Sequence, residues 1–201
     1  MLTYRTDYPN HVHQFVMAVS KHYHAGKDGS LKYQKKVMDV SLAKVLSSEK
    51  RHMIIYSLRD HCSGVFYSEI SFAPDVLMPH EFLSRAWSHK SDYQFQGIPD
   101  LLMLPKTVQE QFPELSNKVQ ELGIKLVDVT SGFQGGIRDI RTIESRIVLS
   151  INQPIENLTG WIEYAYRSHA QKKSRIASKS RIDLWAEGVP DIRHPPHDWC
   201  K

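Results

Sequence analysis

Cysteine is scarce in this chain, with only Cys62 and Cys200 among 201 residues. Two thiols cannot build a disulfide framework or a zinc site of several thiolates. No apolar run approaches the ~18 residues of a membrane-spanning helix, and the N-terminus MLTYRTDYPNHVHQF has no apolar signal core. We therefore expect a soluble, intracellular protein, located in the cytoplasm and without a membrane partner.

A strong excess of either charge is also absent. The chain has 26 Lys and Arg against 22 Asp and Glu, a formal charge of +4 and a pI near 9.0. A mild excess is compatible with a polyanionic partner but does not require one. The positive charge is concentrated between residues 167 and 181, which hold six basic residues and no acid. Serines and small residues fill the gaps, as in segments that follow a phosphate backbone. The predicted nucleic-acid-binding residues are Arg167, Lys172, Lys173, Arg175, Lys179 and Arg181, unless this run is only a solvated face.

The composition is that of a globular protein, 41% hydrophobic and 24% charged. We divide the chain into an N-terminal extension (residues 1–30), a core domain (31–150), and a C-terminal helix with a basic tail (151–201). The extension contains a possible short helix over residues 12–20. Each segment is assigned from composition and from the turn residues that bound it.

The apolar pattern predicts alternating strands and helices. A strand is expected over Lys36–Leu42, and β-branched and aromatic residues predict two more over 52–60 and 65–72, paired as an antiparallel hairpin. Spacings of three and four then predict helices. The remaining predicted elements are helices at 79–90, 108–123 (kinked or split at Pro113), 137–149 and 155–169, and strands at 99–105 and 124–129. A meander followed by alternating helices and strands is a mixed α/β arrangement.

This element order, together with short motifs, resembles the RNase H-like catalytic core of retroviral integrases and integrase-type transposases. LRDHCSGVFYSEI (58–70) resembles the hairpin of the family's second and third strands, GIPDLLMLP (97–105) its fourth strand, and LGIKLVDVTSGFQGGIRD (122–139) its fifth strand and the loop into the catalytic helix. The resemblance covers about residues 36–150. It implies a mixed sheet of about five strands flanked by helices, with three strands in an antiparallel meander and two parallel strands.

The resemblance also implies a function. The family cuts and joins DNA strands during integration or recombination of a mobile element, and we expect DNA and further copies of this chain as partners. The chemistry uses two Mg²⁺ or Mn²⁺ ions about 3.5–4 Å apart, held by acids from the first strand, the end of the fourth strand and the last helix. On this chain the resemblance places the first acid at Asp39, which lies 21 positions before Asp60, and the helix acid at Asp139. Both are predicted metal ligands and catalytic residues.

The second acid of the family pattern is missing. The family's spacing places it at Pro105, 34 positions before Asp139. Asp100 or Glu144 could complete the site. Glu144 lies in the apolar stripe of the helix predicted over 137–149 and is the third predicted catalytic residue.

Each candidate has another interpretation. A carboxylate on an apolar helix face needs a partner, so Glu144 could instead pair with Arg141 or Arg85. Without a metal site, the resemblance implies a degenerate integrase-like subunit that binds DNA or a protein partner. A third alternative is an interaction domain with no role on nucleic acid.

Other polar residues are better explained by structure than by chemistry. Asp60 is predicted to accept hydrogen bonds from the amides of the Ser-Gly turn that follows it. Cys62 is a small turn residue without a nucleophile's pattern around it. The remaining possible metal ligands lack accompanying cysteines or lie in a proline-rich tail, and they are His11, His13, His22, His24, His194, His197 and Cys200.

Overall fold

Secondary structure extends through most of the computed structural model, which describes residues 6–129 and 134–200. The strands are β1 (Val12–Ala25), β2 (Leu31–Tyr33), β3 (His52–Asp60), β4 (Phe66–Phe72), β5 (Leu101–Pro105) and β6 (Lys125–Val129). The helices are α1 (Leu42–Leu46), α2 (Pro79–Trp87), α3 (Lys106–Gln111), α4 (Glu114–Glu121), α5 (Gln134–Ile147), α6 (Leu158–Ala170) and α7 (Arg181–Gly188). Short 3₁₀ turns cover Val148–Ser150 and Ile155–Asn157.

The six strands form one mixed sheet in the order β4-β3-β1-β5-β6, with β2 added to the far end of β1. Strand β1 runs antiparallel to β3, so that Gln14 lies opposite Arg59 and Val16 opposite Ser57. On its other edge β1 runs parallel to β5, with Gln14 opposite Met103. The pairs β3–β4 and β5–β6 are antiparallel and parallel, respectively. The predicted RNase H-like α/β architecture, with a three-strand meander and two parallel strands, is therefore confirmed.

The first strand of the meander is not the predicted one. The strand predicted over Lys36–Leu42 is wrong, because residues 34–40 are irregular and α1 begins at Leu42. The helix predicted over residues 12–20 is also wrong, since these residues belong to β1. A central strand is buried on both faces and shows a continuous apolar run instead of an alternation, so its pattern does not distinguish strand from helix. The sheet thus takes its central strand from residues 1–30, the segment that sequence reasoning sets apart as an extension.

The other predicted elements are confirmed. Strands β3 and β4 pair as an antiparallel hairpin. Pro113 separates α3 from α4, because a proline ring cannot continue the hydrogen-bonding pattern of the preceding helix. Residues 122–139 resemble the family's fifth strand and the loop into its catalytic helix. Within them, residues 130–133 lie outside the described part of the chain, and α5 begins at residue 134.

Helices cover both faces of the sheet. On one face, Gly136 of α5 lies against Val16, and residues of α6 pack on Phe66 of β4. On the opposite face, Phe82 of α2 packs against the rings of Phe15 and Tyr56. Neighbouring residues of a strand point to opposite faces, so Gln14 and Val16, which precede the irregularity of β1 between Val19 and His24, both face α5.

The C-terminal segment packs back onto the core. Trp185 of α7 is fully buried and donates its indole N–H to the carbonyl oxygen of Gln94 at 3.1 Å. Trp199 packs on the ring of Trp87 and donates to the carbonyl oxygen of Lys118 at 2.9 Å. Within residues 6–129 and 134–200, no helix has the length and apolarity required to cross a bilayer.

Candidate functional site

A buried ion pair joins the hairpin to α5. Asp139 is fully buried, and its carboxylate accepts hydrogen bonds from Nε of Arg59 at 2.9 Å, from Nη2 of Arg59, and from the hydroxyl of Ser57 at 3.3 Å. The third nitrogen of the guanidinium, Nη1, donates to the carbonyl oxygen of Gly64 at 2.9 Å. Burial raises the pKa of the Asp139 carboxyl, and the guanidinium of Arg59 opposes that rise. Both carboxylate oxygens of Asp139 are therefore engaged by protein donors.

The sheet positions nearest the start of α5 carry no acid. Val16 on β1 and Pro105 at the end of β5 each lie two residues after the paired residues Gln14 and Met103. The helix approaches so closely that a Cβ atom on Gly136 would lie 2.2 Å from Cγ2 of Val16. The middle of the first strand, the end of its parallel neighbour and the start of the last helix are where the family resemblance expects carboxylates. Here apolar side chains and helix backbone fill that space.

The predicted catalytic acids do not converge there. Asp39 is exposed in the irregular segment before α1. Glu144 is half-buried on α5, and its Oε1 accepts a hydrogen bond from the hydroxyl of Ser20 on β1 at 2.6 Å. Asp100 precedes β5 at the opposite end of the strand and accepts a hydrogen bond from the hydroxyl of Tyr8 at 2.6 Å. Among the described residues, no group of three or more His, Cys, Asp or Glu side chains could hold a metal ion.

A cationic cleft lies beside the ion pair. It has a volume of about 450 Å³ and is bounded by the β3–β4 hairpin, α5, the end of α6 and the loop before α7. Six cationic side chains line it, and none of the described residues that line it is acidic. These six, which we call the cleft cations, are Arg59, Arg138, Arg141, Lys172, Arg175 and Arg181.

Neighbouring ionisable groups reflect this concentration of positive charge. Burial, together with the charges of Arg59, Arg181 and Lys172, lowers the pKa of His169 to about 3. Burial and the charges of Arg59 and Arg175 also lower the pKa of Arg181. The cleft therefore favours a negatively charged ligand.

The predicted basic segment divides into two groups. Lys172, Arg175 and Arg181 line the cleft. Arg167 instead pairs with Asp92 at 2.5 Å, and Lys179 pairs with Glu187. Both of these ion pairs lie away from the cleft, and Lys173 is exposed without lining it.

Three of the six cleft cations lie outside the basic segment 167–181. Arg138 and Arg141 are three positions apart on α5 and are both exposed. The third, Arg59, directly precedes Asp60, the aspartate at the turn of the β3–β4 hairpin. The spacing on α5 was a usable signal, but the approach of the helix to the loop before α7 is a tertiary contact that no local pattern reveals.

The turn after β3 is built as predicted. Asp60 is fully buried, and its Oδ2 accepts hydrogen bonds from the amide and the hydroxyl of Ser63, both at 2.6 Å. Its Oδ1 accepts from the amide of Asn10 at 2.9 Å. Burial raises the pKa of Asp60 to about 6, although these hydrogen bonds oppose the rise. The residue fixes the hairpin end that forms one wall of the cleft.

The histidines singled out by spacing are distributed along the sheet and the tail. His13, His22 and His24 lie on β1. His13 is fully buried and accepts the indole N–H of Trp87 at 3.1 Å. Nδ1 of His194 lies 3.0 Å from the carbonyl oxygen of Trp87.

Solved structures with a similar fold include retroviral integrase cores. The HTLV-2 integrase catalytic core domain, in complex with magnesium and in a trimeric form, matches with a TM-score of 0.57 and 16% identity, over 90% of this chain and 99% of that one. The chain has the fold of a retroviral integrase catalytic core. A chain of the simian T-cell lymphotropic virus intasome, in complex with PP2A regulatory subunit B56 gamma, matches with a TM-score of 0.54 and 13% identity.

The matches differ in coverage. The alignment with the simian virus chain includes 96% of this protein but only 61% of that chain. The catalytic core domain of BIV integrase matches with a TM-score of 0.47 and 13% identity, over 89% of this chain and 95% of that one. No protein-family model matches the sequence, and no curated protein matches it either.

Proposed function

We propose that this protein is an integrase-like DNA-binding subunit that has lost the divalent-metal chemistry of its structural relatives. The observation that carries the proposal is the cationic cleft, in which six cationic side chains meet without an acid among the described lining residues. Phosphate groups are the anions that such a cluster of Arg and Lys binds best, since a guanidinium can donate two parallel hydrogen bonds to one phosphate.

The charge available to a ligand is larger than the net charge of the chain suggests. Arg59 is neutralised by Asp139, but Arg138, Arg141, Lys172 and Arg175 form no ion pair with a described residue. Arg181 also has no acidic partner among the described residues, so five unpaired cations face one cleft. They produce a local positive potential even on a protein of formal charge +4. This surface is the interface proposed for DNA.

The residues present do not suit the magnesium of the HTLV-2 relative. A two-ion site needs several carboxylate oxygens that face the same point. Asp139 has both oxygens bound to Arg59 and Ser57, and the neighbouring positions are Val16, Pro105 and Gly136. Cleavage and strand transfer are therefore not part of the proposed function.

We also propose that the protein acts as a homo-oligomer. The HTLV-2 core was solved in a trimeric form and the simian relative belongs to an intasome. An assembly would place several cationic clefts along one DNA duplex, which would increase the apparent affinity through multivalent binding. Size-exclusion chromatography with light scattering measures the number of copies.

The experiment is a salt titration of duplex binding. Fluorescence anisotropy of a labelled duplex, measured at several salt concentrations, gives the affinity and its dependence on salt. Replacing both Lys172 and Arg175 by Gln should weaken binding about tenfold or more and reduce the slope of log K against log salt by about 2, since each lost phosphate contact changes the slope by about 0.9.

The matched control removes two charges elsewhere. Lys35 and Lys125 are exposed, do not line the cleft and form no ion pair with a described residue. The double variant Lys35→Gln/Lys125→Gln should keep the wild-type affinity within a factor of about two, because charges outside the contact area are screened. Equal losses in the two double variants would refute a specific cleft, and no binding by wild type would favour a role without nucleic acid.

A further inference from the structure

We propose that the cationic cleft recognises a terminal phosphate, the phosphomonoester at the end of a nucleic-acid strand. This inference rests on the proposed function, because it specifies which part of the nucleic acid enters the cleft. It assigns a new ligand class to residues at the junction of α5, α6 and the loop before α7.

The shape of the site favours one phosphate group over a row of them. A duplex backbone presents phosphates along an extended line, and a protein that follows it needs a long basic surface. Here the positive charge surrounds a cleft of about 450 Å³, a size typical of pockets for single small ligands. A phosphomonoester carries a charge of about −1.5 to −2 and three acceptor oxygens, so it suits this density of donors better than a singly charged diester.

The donors approach from two sides. Arg138 and Arg141 project from α5, and Lys172 and Arg175 come from the loop before α7. That loop is held by backbone hydrogen bonds between its two ends, from the amide of Ser174 to Lys179 at 2.8 Å and from the amide of residue 181 to Lys172 at 3.0 Å. A fixed loop positions its cations before the ligand arrives, which reduces the entropy cost of binding.

Arg181 helps to hold the loop before α7 in place. Its Nη1 donates to the carbonyl oxygens of His169 at 3.1 Å and Lys172 at 3.2 Å. The guanidinium thereby ties the end of α6 to the start of the loop. Its charge remains unneutralised, since no acid among the described residues pairs with it.

His169 lies on the buried side of the cleft. Its side chain lines the cleft and is only 9% exposed. The charged groups around it are Arg59 from β3, Arg181 from α7 and Lys172 from the loop, with the ring of Phe66 from β4 packed against its own. These three cations extend the positive potential of the cleft to its buried side, which further favours an anion of high charge.

The test compares two oligonucleotides that differ only at one end. A short single strand, labelled at its 3′ end, is prepared with a 5′-phosphate and with a 5′-hydroxyl, and both are titrated with the full-length protein. We expect the 5′-phosphorylated strand to bind at least about fivefold tighter, because it brings an additional charge and terminal oxygens. Inorganic phosphate, followed by isothermal titration calorimetry, should bind and should compete with the phosphorylated strand.

Two double variants test whether the cleft is responsible for the preference for the phosphorylated end. Arg141→Gln/Arg175→Gln, which removes one exposed cation from each side of the cleft, should abolish the preference for the phosphorylated end. Lys35→Gln/Lys125→Gln should retain it. Thermal unfolding followed by circular dichroism confirms that both double variants are folded, and all four substituted side chains are exposed.

The outcomes separate this inference from the function on which it rests. Equal affinity for the two strands, with both weakened in Arg141→Gln/Arg175→Gln, would overturn the terminal-phosphate inference and leave the DNA-binding proposal standing. A preference for the phosphorylated end that persists in that variant would also overturn the inference, because the end would then bind elsewhere. Failure of both strands and of duplex DNA to bind would refute the proposed function together with the inference.

Discussion

The ion pair between Arg59 and Asp139 gives a quantitative prediction. Asp139 is fully buried, whereas the Arg59 side chain is 13% exposed. Removing one partner of a buried pair leaves an uncompensated charge and costs about 3–5 kcal/mol of the free energy of unfolding. Arg59→Met should reach this range at pH 7.5, because the Asp139 carboxylate would keep only the hydroxyl of Ser57 as a donor. Asp139→Asn should cost about 2–3 kcal/mol, since the remaining guanidinium has some access to water.

The loss in Arg59→Met should depend on pH. Without the guanidinium, burial raises the folded-state pKa of Asp139 further above its unfolded value, so the folded state takes up a proton as the pH falls. A raised folded-state pKa means that stability is recovered at low pH and lost as the pH rises through that pKa. The cost of Arg59→Met relative to wild type should therefore be about 1–2 kcal/mol smaller at pH 5 than at pH 7.5.

A double-mutant cycle measured by urea unfolding tests this reasoning. The cycle consists of Arg59→Met, Asp139→Leu and Arg59→Met/Asp139→Leu. The double variant replaces both charges by apolar groups and should lie within about 2 kcal/mol of wild type, which gives a coupling energy of at least about 2 kcal/mol. The partly exposed pair Arg85–Glu69 provides the control, and Arg85→Met should cost less than about 1 kcal/mol. Additive effects of the two single substitutions, each below about 0.5 kcal/mol, would refute the conclusion that Arg59 and Asp139 form a buried, energetically coupled ion pair.

Three further predictions concern the surroundings of the cleft. Gly136→Ala should destabilise the protein by about 1–3 kcal/mol in urea unfolding, because the new Cβ would lie 2.2 Å from Cγ2 of Val16, and Val16→Ala should reduce that loss. Asp60→Asn should cost about 1–3 kcal/mol at pH 4, since the amide nitrogen cannot accept the hydrogen bonds of Ser63. Burial raises the folded-state pKa of Asp60 from its ordinary value of 3.8 to about 6. The contribution of this residue to the free energy of unfolding is therefore complete below about pH 3.8 and is lost as the pH rises through 6. Wild type should consequently lose about 2.4 kcal/mol relative to Asp60→Asn between pH 4 and pH 7, and a pH-independent difference would contradict the raised pKa.

Much of the fold follows from local sequence patterns, with one informative failure. The hairpin of β3 and β4, the helix split at Pro113 and the parallel strands β5 and β6 all carry local signals: a turn, a proline and short apolar runs between turns. Strand β1 does not, because it is buried on both faces and its apolar run has no period of two. The error moved the first strand of the meander to Lys36–Leu42 and placed the first acid at Asp39, which lies outside the sheet.

The candidate site is less predictable than the fold for a physical reason. Sequence spacing locates Asp139 and the acid-free position Pro105, but it does not show that Asp139 pairs with Arg59, which precedes it by 80 positions. The basic run from 167 to 181 is visible in the sequence, yet only three of its six cations line the cleft. The acids that neutralise Arg167 and Lys179, Asp92 and Glu187, lie outside that run and are brought near by folding.

Metal-independent DNA binding is tested most directly by one duplex-DNA titration performed in EDTA and again in Mg²⁺, with wild type and Lys172→Gln/Arg175→Gln. If the cleft cations alone hold the DNA, wild-type affinity should be equal in the two buffers, apart from the general effect of ionic strength, and the variant should bind more weakly in both. The labelled duplex should also remain intact in Mg²⁺ or Mn²⁺. Binding that requires the metal, or cleavage or joining of the duplex that is lost in Asp139→Ala, would contradict the central claim that this integrase fold binds DNA through cations of its own.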